Sequence, residues 1–397
     1  MTTRHGNTTA YLFPSSPIFG AYRVPLFDEL HRRLGDDFLV IAERQQRDPN
    51  SQIAVHDGHF PRLLLNSRRI DISRRHDDAL ETPFGVTLTP GLLPALLRVN
   101  PRAVISNNFS TWTLTSLLAG YPTILFWEGT AHTERTVTPW RQNLRRWITR
   151  RITAFVANGT LSKRYLVEAL GADPSRVFEG GMGPELPPPH LARSTPRERP
   201  AGAPLRFLLV GRLVKLKGVA TLLRAAAALR RHGGESVPFE VHVLGDGPER
   251  PALERLTQEL GIASQVTFLG AVPASAVWDS YADADVFVLP TFQDNWPLVV
   301  PEAMFMAMPI LLSRDSGSTV DLIREGENGF AFDPADHDQL AALMETYLRD
   351  PEAVRRHGTR GREMADRYTP QRVADSYVAA LRCVPGVRDR QPYANVT

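Results

Sequence analysis

The sequence predicts an α/β protein of two doubly wound domains that face each other across a cleft, and three observations carry that prediction. Apolar runs of strand length alternate with helix-spaced patterns along the whole chain, the signature of parallel sheets covered by helices. At 397 residues the chain exceeds one ordinary core and suits two domains of nearly equal size. Near its middle, Pro184-Glu-Leu-Pro-Pro-Pro-His and Ser194-Thr-Pro-Arg-Glu-Arg-Pro-Ala-Gly-Ala-Pro204 are poor in core residues and rich in proline, the composition of a semi-rigid connection. The expected division is a first domain over 1–190, a linker over 191–204, a second domain over 205–375 and a tail over 376–397.

In the first half the strand runs are Tyr11 to Phe13, Phe38 to Ala42, Ala103 to Ser106, Thr123 to Trp127 and Ala154 to Ala157, with helical spacing from Pro25 to Leu34. The pattern restarts at Leu205-Arg-Phe-Leu-Leu-Val-Gly211 and continues through Phe239 to Leu244, Val266 to Leu269, Asp285 to Leu289 and Ile310 to Ser313. Thr369-Pro370 reads as an N-cap followed by proline at the first helical position, opening a helix from Gln371 to Leu381. The last residues, Gln391 to Thr397, read as frayed.

Composition narrows the class. With 22% charged and 43% hydrophobic residues the chain is an ordinary globular protein, neither disordered nor fibrous. A net charge of +3 argues against a dedicated nucleic-acid binder. The single cysteine, Cys383, excludes an intramolecular disulfide, and no Cys/His cluster has zinc spacing. No apolar run reaches the roughly 20 residues that span a bilayer, and the N-terminal residues lead into a short strand, not a signal-peptide core. The reading is cytoplasmic.

The most informative segment is Leu289-Pro-Thr-Phe-Gln-Asp294-Asn295-Trp296-Pro297-Leu298-Val299-Val-Pro-Glu302. It places two carboxylates eight residues apart across a turn from a buried strand into a buried helix, Glu302 to Met308, bounded by Pro309. Such a turn lies at the carboxyl edge of a sheet, where α/β proteins collect ligands. Carboxylates accept from vicinal hydroxyls, and first-turn amides near Leu298 and Val299 suit an anion. A nucleotide sugar offers both kinds of group.

The second domain opens with Gly211-Arg212-Leu-Val-Lys215-Leu-Lys217-Gly218 between a strand and a helix. Arg212 and Lys217 would neutralise a diphosphate there, one as a planar fork and the other as a point charge. The turn Gly245-Asp246-Gly247-Pro248 does not continue as a dinucleotide fingerprint, because Arg250 occupies the third glycine's place. In the first domain, Gly20 stands between a strand and the helix near Pro25, either as a phosphate-facing amide or as a plain loop glycine. The strand Thr123 to Trp127 ends in Glu128-Gly-Thr-Ala-His132-Thr-Glu134-Arg135, a polar cluster at another carboxyl edge. The segment Trp140 to Ile152 carries Trp140, Leu144, Trp147 and Ile148 on one helical face with arginines largely elsewhere. It fits either a helix packed on its own sheet or peripheral contact with an anionic inner membrane face.

Together these motifs resemble the retaining glycosyltransferases of family 4, the group 1 glycosyltransferases of GT-B fold. Gly211, Arg212, Lys217 and Gly218 match the family's Gly-Arg-x4-Lys-Gly opening. Gly245 to Pro248 match its Gly-x-Gly-Pro turn, Phe268-Leu269-Gly270 its Phe-x-Gly strand end, and Asn328-Gly-Phe330 its Asn-Gly-Phe segment. The carboxylate pair matches its E-x7-E motif. The resemblance implies two Rossmann-like domains with the C-terminal helix crossing back to the first. It also implies a nucleoside-diphosphate sugar donor, a hydroxyl acceptor and no metal cofactor. By the same resemblance Arg212 and Lys217 hold the diphosphate, Glu302 takes the ribose hydroxyls, Leu298 and Val299 support the phosphate, Leu269 borders the base, and Gly211, Asn295 and Trp296 line the donor. Gly20 stands where the family often has a glycine pair, and Glu128 or His132 stands for its sugar-facing histidine.

Two departures bear on the sugar. Asp294 is one methylene shorter than the family's usual Glu, and Pro297 deletes a backbone donor of the turn. They leave two other readings in view, a nucleotide-sugar epimerase and a degenerate sugar-nucleotide-binding subunit.

Overall fold

The computed structural model describes residues 6–14, 17–44, 58–71, 85–200, 202–233 and 238–385; the fraying expected of Gln391 to Thr397 lies outside them. The first domain contributes β1 (Thr9–Phe13), β2 (Phe38–Glu43), β3 (Arg62–Leu65), the antiparallel pair β4 (Arg68–Asp71) and β5 (Gly85–Leu88), then β6 (Ala103–Asn107), β7 (Thr123–Trp127), β8 (Ala154–Ala157) and β9 (Val177–Glu179). The second contributes β10 (Leu205–Val210), β11 (Phe239–Leu244), β12 (Val266–Gly270), β13 (Val286–Leu289), β14 (Ile310–Ser313) and β15 (Gly329–Phe332).

Among the described residues the two main sheets are parallel, in orders β3-β2-β1-β6-β7-β8-β9 and β12-β11-β10-β13-β14-β15. Each order reverses once, between β1 and β6 and between β10 and β13. Loops leaving the carboxyl ends on either side of such a reversal diverge and open a crevice. The loop from Gly211 to Gly218 follows β10 and the loop around Asp294 follows β13, so the two principal motifs flank one reversal point.

The central strands are buried on both faces, which is why they read as unbroken apolar runs. Every residue of β1, β6, β7, β13 and β14 is buried. No helix among the described residues is long and apolar enough to cross a membrane.

Two helices differ from expectation. The first runs Pro17–Leu34 and contains Pro25, so Gly20 lies within a helix and not in a loop. The helix predicted from Glu302 to Met308 instead runs Val299–Phe305. It stops because Ala307 takes a left-handed φ of 53° and the amide of Met308 turns back to the carbonyl of Ala303, 3.1 Å away, a left-handed helix stop.

The C-terminal helix, Pro370–Leu381, is capped by Thr369 through the amide of Arg372 at 3.3 Å. It packs Val373, Ala374, Tyr377, Ala380 and Leu381 into the first domain's core. Its Asp375 accepts from Arg33 at 2.6 Å, and Ser376 Oγ donates to the carbonyl of Glu179 at 2.6 Å. The chain therefore crosses between domains twice.

The proline-rich segment is fastened to the second domain. Half-buried Arg193 donates to the carbonyls of Met306, Ala282 and Tyr281 at 2.8, 3.2 and 3.4 Å, satisfying carbonyls at helix ends. Arg197 grips buried Asp285 with two bonds of 2.7 and 3.1 Å. Asp285 also accepts from the amide of Arg206 at 2.8 Å, which joins the linker to the start of strand β10. Arg197→Ala leaves that carboxylate short of its counter-charge. The variant is expected to lose about 3 kcal/mol of stability at neutral pH, read as a fall in urea midpoint; a midpoint equal to wild type would show the pair to be dispensable.

Candidate active site at the interdomain cleft

Three sequence motifs that are far apart in the chain are joined by backbone bonds at the carboxyl edge of the second sheet. The amide of Leu213 donates to the carbonyl of Asp246 at 2.9 Å, and the carbonyl of Leu213 accepts from Glu249 at 3.0 Å. Leu216 accepts from the amide of Phe292 at 2.8 Å and from Thr291 Oγ1 at 2.9 Å. Gly218 has φ +65°, and a Cβ there would overlap the carbonyl of Pro290; only glycine permits that approach. Gly245 is held in the same way against the carbonyl of Gly211. The glycines are the sites where adjacent loops touch.

On this frame Lys217 Nζ donates to Asp294 Oδ2. Asp294 Oδ1 accepts from the amide of Trp296 at 3.1 Å, and its carbonyl accepts from Gly317 at 2.8 Å, so the carboxylate is fixed in direction. Arg212 is exposed and pairs with no carboxylate among the described residues. The cations and Asp294 thus sit on the two loops that flank the reversal point.

Glu302 lies in the first turn of the helix Val299–Phe305 and is 8% exposed. It accepts from Tyr281 Oη at 2.8 Å and has no cationic partner among the described residues. Burial pushes its pKa up to about 7, Glu185 adds repulsion in the same direction, and the Tyr281 bond opposes them. Leu298 precedes that helix and Val299 opens it; Leu269 is exposed on the edge strand β12.

From the first domain, Glu128 follows β7 at the corresponding edge. Its pKa is raised by burial, with Asp294 and Glu134 pushing the same way, while Arg23 and a 3.5 Å bond from Asn108 Nδ2 oppose. Arg23 is buried, lies 4.0 Å over the Phe126 ring, and donates to Tyr377 Oη at 3.4 Å. His132 Nε2 is 3.3 Å from the carbonyl of Phe292, and Arg135 bridges the carbonyl of His132 (2.6 Å) and Gln293 Oε1 (3.1 Å). Of the two residues expected near the sugar, Glu128 is the one under the electrostatic influence of Asp294, and His132 meets the rim two residues before it.

Trp296 is placed differently from its expected role on the donor. Its ring is 3% exposed, lies 5.6 Å from Tyr368, and sits where a Cβ on Gly159 or Gly181 would collide with or crowd it. No face is left for a sugar. It is instead a contact between domains, alongside Thr160, whose amide and hydroxyl donate to Asp321 at 3.0 and 2.6 Å. Asn295 points a buried Oδ1 at no partner among the described residues. Gly20, inside its helix, is separated from the loop position that its phosphate role required.

Sequence reasoning did not single out Tyr281, Arg23, Asn108, Thr160 or Asp321. Arg23 lies three residues beyond Gly20, the residue weighed there. The others sit in no local motif, and partners 20 to 161 residues away in sequence give them their roles.

The fold and the edge geometry define the class: two parallel-sheet, Rossmann-like domains facing across a cleft, the arrangement of GT-B glycosyltransferases. Solved structures that share it include Anabaena HepE in complex with UDP and glucose, with a TM-score of 0.70 and 16% identity over 94% of this chain and 99% of that one. Sucrose-phosphate synthase from Thermosynechococcus elongatus gives 0.70 and 19%, covering 94% and 98%. At these identities the likeness establishes the fold.

Residues 194–364 match the family described as glycosyl transferases group 1. Among curated proteins, D-inositol 3-phosphate glycosyltransferase of Nocardia farcinica is 32% identical over 252 residues, which are 59% of this chain and 54% of that protein. The protein of the same name from Thermomonospora curvata is 35% identical over 218 residues, 49% and 48% respectively. The chain spans about half the length of the curated relatives it matches.

Proposed function

We propose that the protein is a retaining glycosyltransferase of family 4 that moves a hexosyl group from a nucleoside-diphosphate sugar to an acceptor hydroxyl. The observation that carries this reading is the fixing of Lys217 and Asp294 to each other at the β10/β13 reversal, with Arg212 on the same loop as Lys217 and paired with no carboxylate among the described residues. A donor laid across this edge meets cations at its diphosphate, Asp294 at its sugar and Glu302 at its ribose. The leaving diphosphate departs from the anomeric carbon, the acceptor hydroxyl enters on the same face, and its proton passes to the departing phosphate oxygen. Arg212 and Lys217 stabilise charge that grows in that step, which is where such help accelerates a reaction. In this reading the side-chain cations do what a metal would otherwise do at the diphosphate.

Asp294 serves as the short acceptor facing the sugar, and Glu128 faces it from the first domain. Because the HepE structure carries UDP, uridine donors come first in a panel. The name of the curated relatives makes a phosphorylated cyclitol the first acceptor to try.

The test is thermal-shift binding across UDP-, GDP-, ADP- and dTDP-sugars, since a ligand that binds only the folded state raises apparent stability by about 2.7 kcal/mol at 100 times its Kd. The expected result is a shift with one nucleotide class that disappears in Glu302→Ala. No shift across the panel would overturn the donor reading. Slow donor hydrolysis without acceptor separates an enzyme from a pure binder.

A further inference from the structure

The helix Pro139–Thr149 is anchored by Arg145, Ile148 and Thr149, which are buried. Arg145 pairs with Glu134 and lies 5.0 Å over the Trp127 ring. The other side presents Trp140, Leu144 and Trp147, at spacing i, i+4 and i+7, with exposures of 59%, 42% and 36%. Ile148, which the sequence pattern grouped with them, belongs to the buried side.

Around this stripe the surface is cationic. From Trp140 to Ile152 the chain has five arginines and no Asp or Glu. Arg146, Arg150 and Arg151 are exposed, and none of the three pairs with a carboxylate among the described residues. Arg151 stacks 3.8 Å over the Trp147 ring and donates to the carbonyl of Trp147 at 2.9 Å, which holds one cation at the edge of the apolar stripe.

Two tryptophans bracketing a leucine, beside Arg146, Arg150 and Arg151, which pair with no carboxylate among the described residues, match the chemistry of a bilayer's headgroup level, where indole rings and guanidinium groups both find partners. We propose that this face docks on an anionic phospholipid surface, with Trp140 and Trp147 at the headgroups, Leu144 toward the acyl boundary, and Arg146, Arg150 and Arg151 on lipid phosphates. The docked helix is tied through Arg145 and Glu134 to the loop from Glu128 to Arg135, so the first-domain side of the cleft is held beside the bilayer. The inference is independent of glycosyl transfer, because docking needs no donor.

The experiment is co-sedimentation of the full chain with vesicles of phosphatidylcholine alone and of phosphatidylcholine containing phosphatidylglycerol, at low and high salt. Binding to the anionic vesicles, weakened by salt, is expected, with about a tenfold or greater loss in both Trp140→Ser/Trp147→Ser and Arg146→Glu/Arg150→Glu. These side chains are exposed, so the variants are expected to keep the wild-type unfolding temperature, which is measured alongside. Absence of binding to anionic vesicles, equal binding to neutral ones, or undiminished binding by either double variant would overturn the proposal. A dimer in sedimentation velocity that the tryptophan variant abolishes, without vesicle binding, would also overturn it and assign the face to a second copy of the chain.

Discussion

Lys217→Ala is expected to lower kcat about 100- to 1,000-fold while leaving the protein folded. Lys217 is partly buried in a loop whose shape depends on other groups: the backbone bonds of Leu213 and Leu216 and the close approach of Gly218 to Pro290. Removing the ammonium therefore removes charge without removing the frame. What remains is Asp294, still fixed by the amide of Trp296, now facing a leaving diphosphate with only Arg212 to balance it. The lost stabilisation belongs to the transition state, so kcat and kcat/KM should fall together.

Lys217→Arg keeps the charge but changes a compact point donor into a planar fork, and partial activity is expected. Lys215→Ala alters an exposed neighbour on the same turn and should turn over near the wild-type rate. Single-turnover assays with donor and a competent acceptor measure all three. Near-normal turnover by Lys217→Ala would remove the diphosphate role from this residue and with it the main support for the proposed chemistry.

How far the molecule could be read from its sequence depended on burial and on locality. β7, β8, β10, β11 and β14 occupy the spans that the apolar runs indicated, because buried apolar residues dominate them; Arg206 in β10 and Glu240 and His242 in β11 interrupt the run without erasing it. β3, on the sheet edge with alternating exposure, and β9, of three residues, carried too little apolar signal. β15 was visible only as the motif Asn328-Gly-Phe330. Pro25 looked like a helix start, since proline is favoured in a first turn; eight residues of helix precede it, and Gly20 moved with them.

The motifs around Gly218 and Gly245 were legible because each has a glycine where two loops touch, a local need that leaves a local mark, and the carboxylate pair, which has no glycine, was legible by its spacing across a strand-to-helix turn. Trp296 misled because adjacency in sequence to Asp294 suggested adjacency to the sugar. The turn sends the two side chains to different neighbours, one to Lys217 and one to Gly159 and Gly181 in the other domain. Arg23, Tyr281 and Asp321 acquire their roles only through tertiary contact, so no spacing rule could have found them.

Glu302 gives the proposed donor site a pH dependence with a defined direction. Its carboxyl has a folded pKa of about 7 against an ordinary value of 4.5, so the folded chain keeps a proton that the unfolded chain releases. This group's contribution to stability is complete below the unfolded value and is lost as pH rises through the folded one. Over that window it amounts to about 3 kcal/mol. Glu302→Gln keeps an acceptor for Tyr281 Oη and never ionises. The variant should match wild type near pH 4.5 and exceed it in urea midpoint above pH 7. Donor binding should move the other way, because ribose hydroxyls donate best to an ionised acceptor. Between about pH 6 and pH 8 wild-type affinity is expected to rise about tenfold with release of a proton, and in Glu302→Gln affinity is expected to be weaker and flat. Calorimetric titrations in buffers of different ionisation enthalpy read both the affinity and the proton. A wild-type profile without slope, or a Gln variant that retains one, would mean that another group sets the pH response and that Glu302 does not meet the ribose.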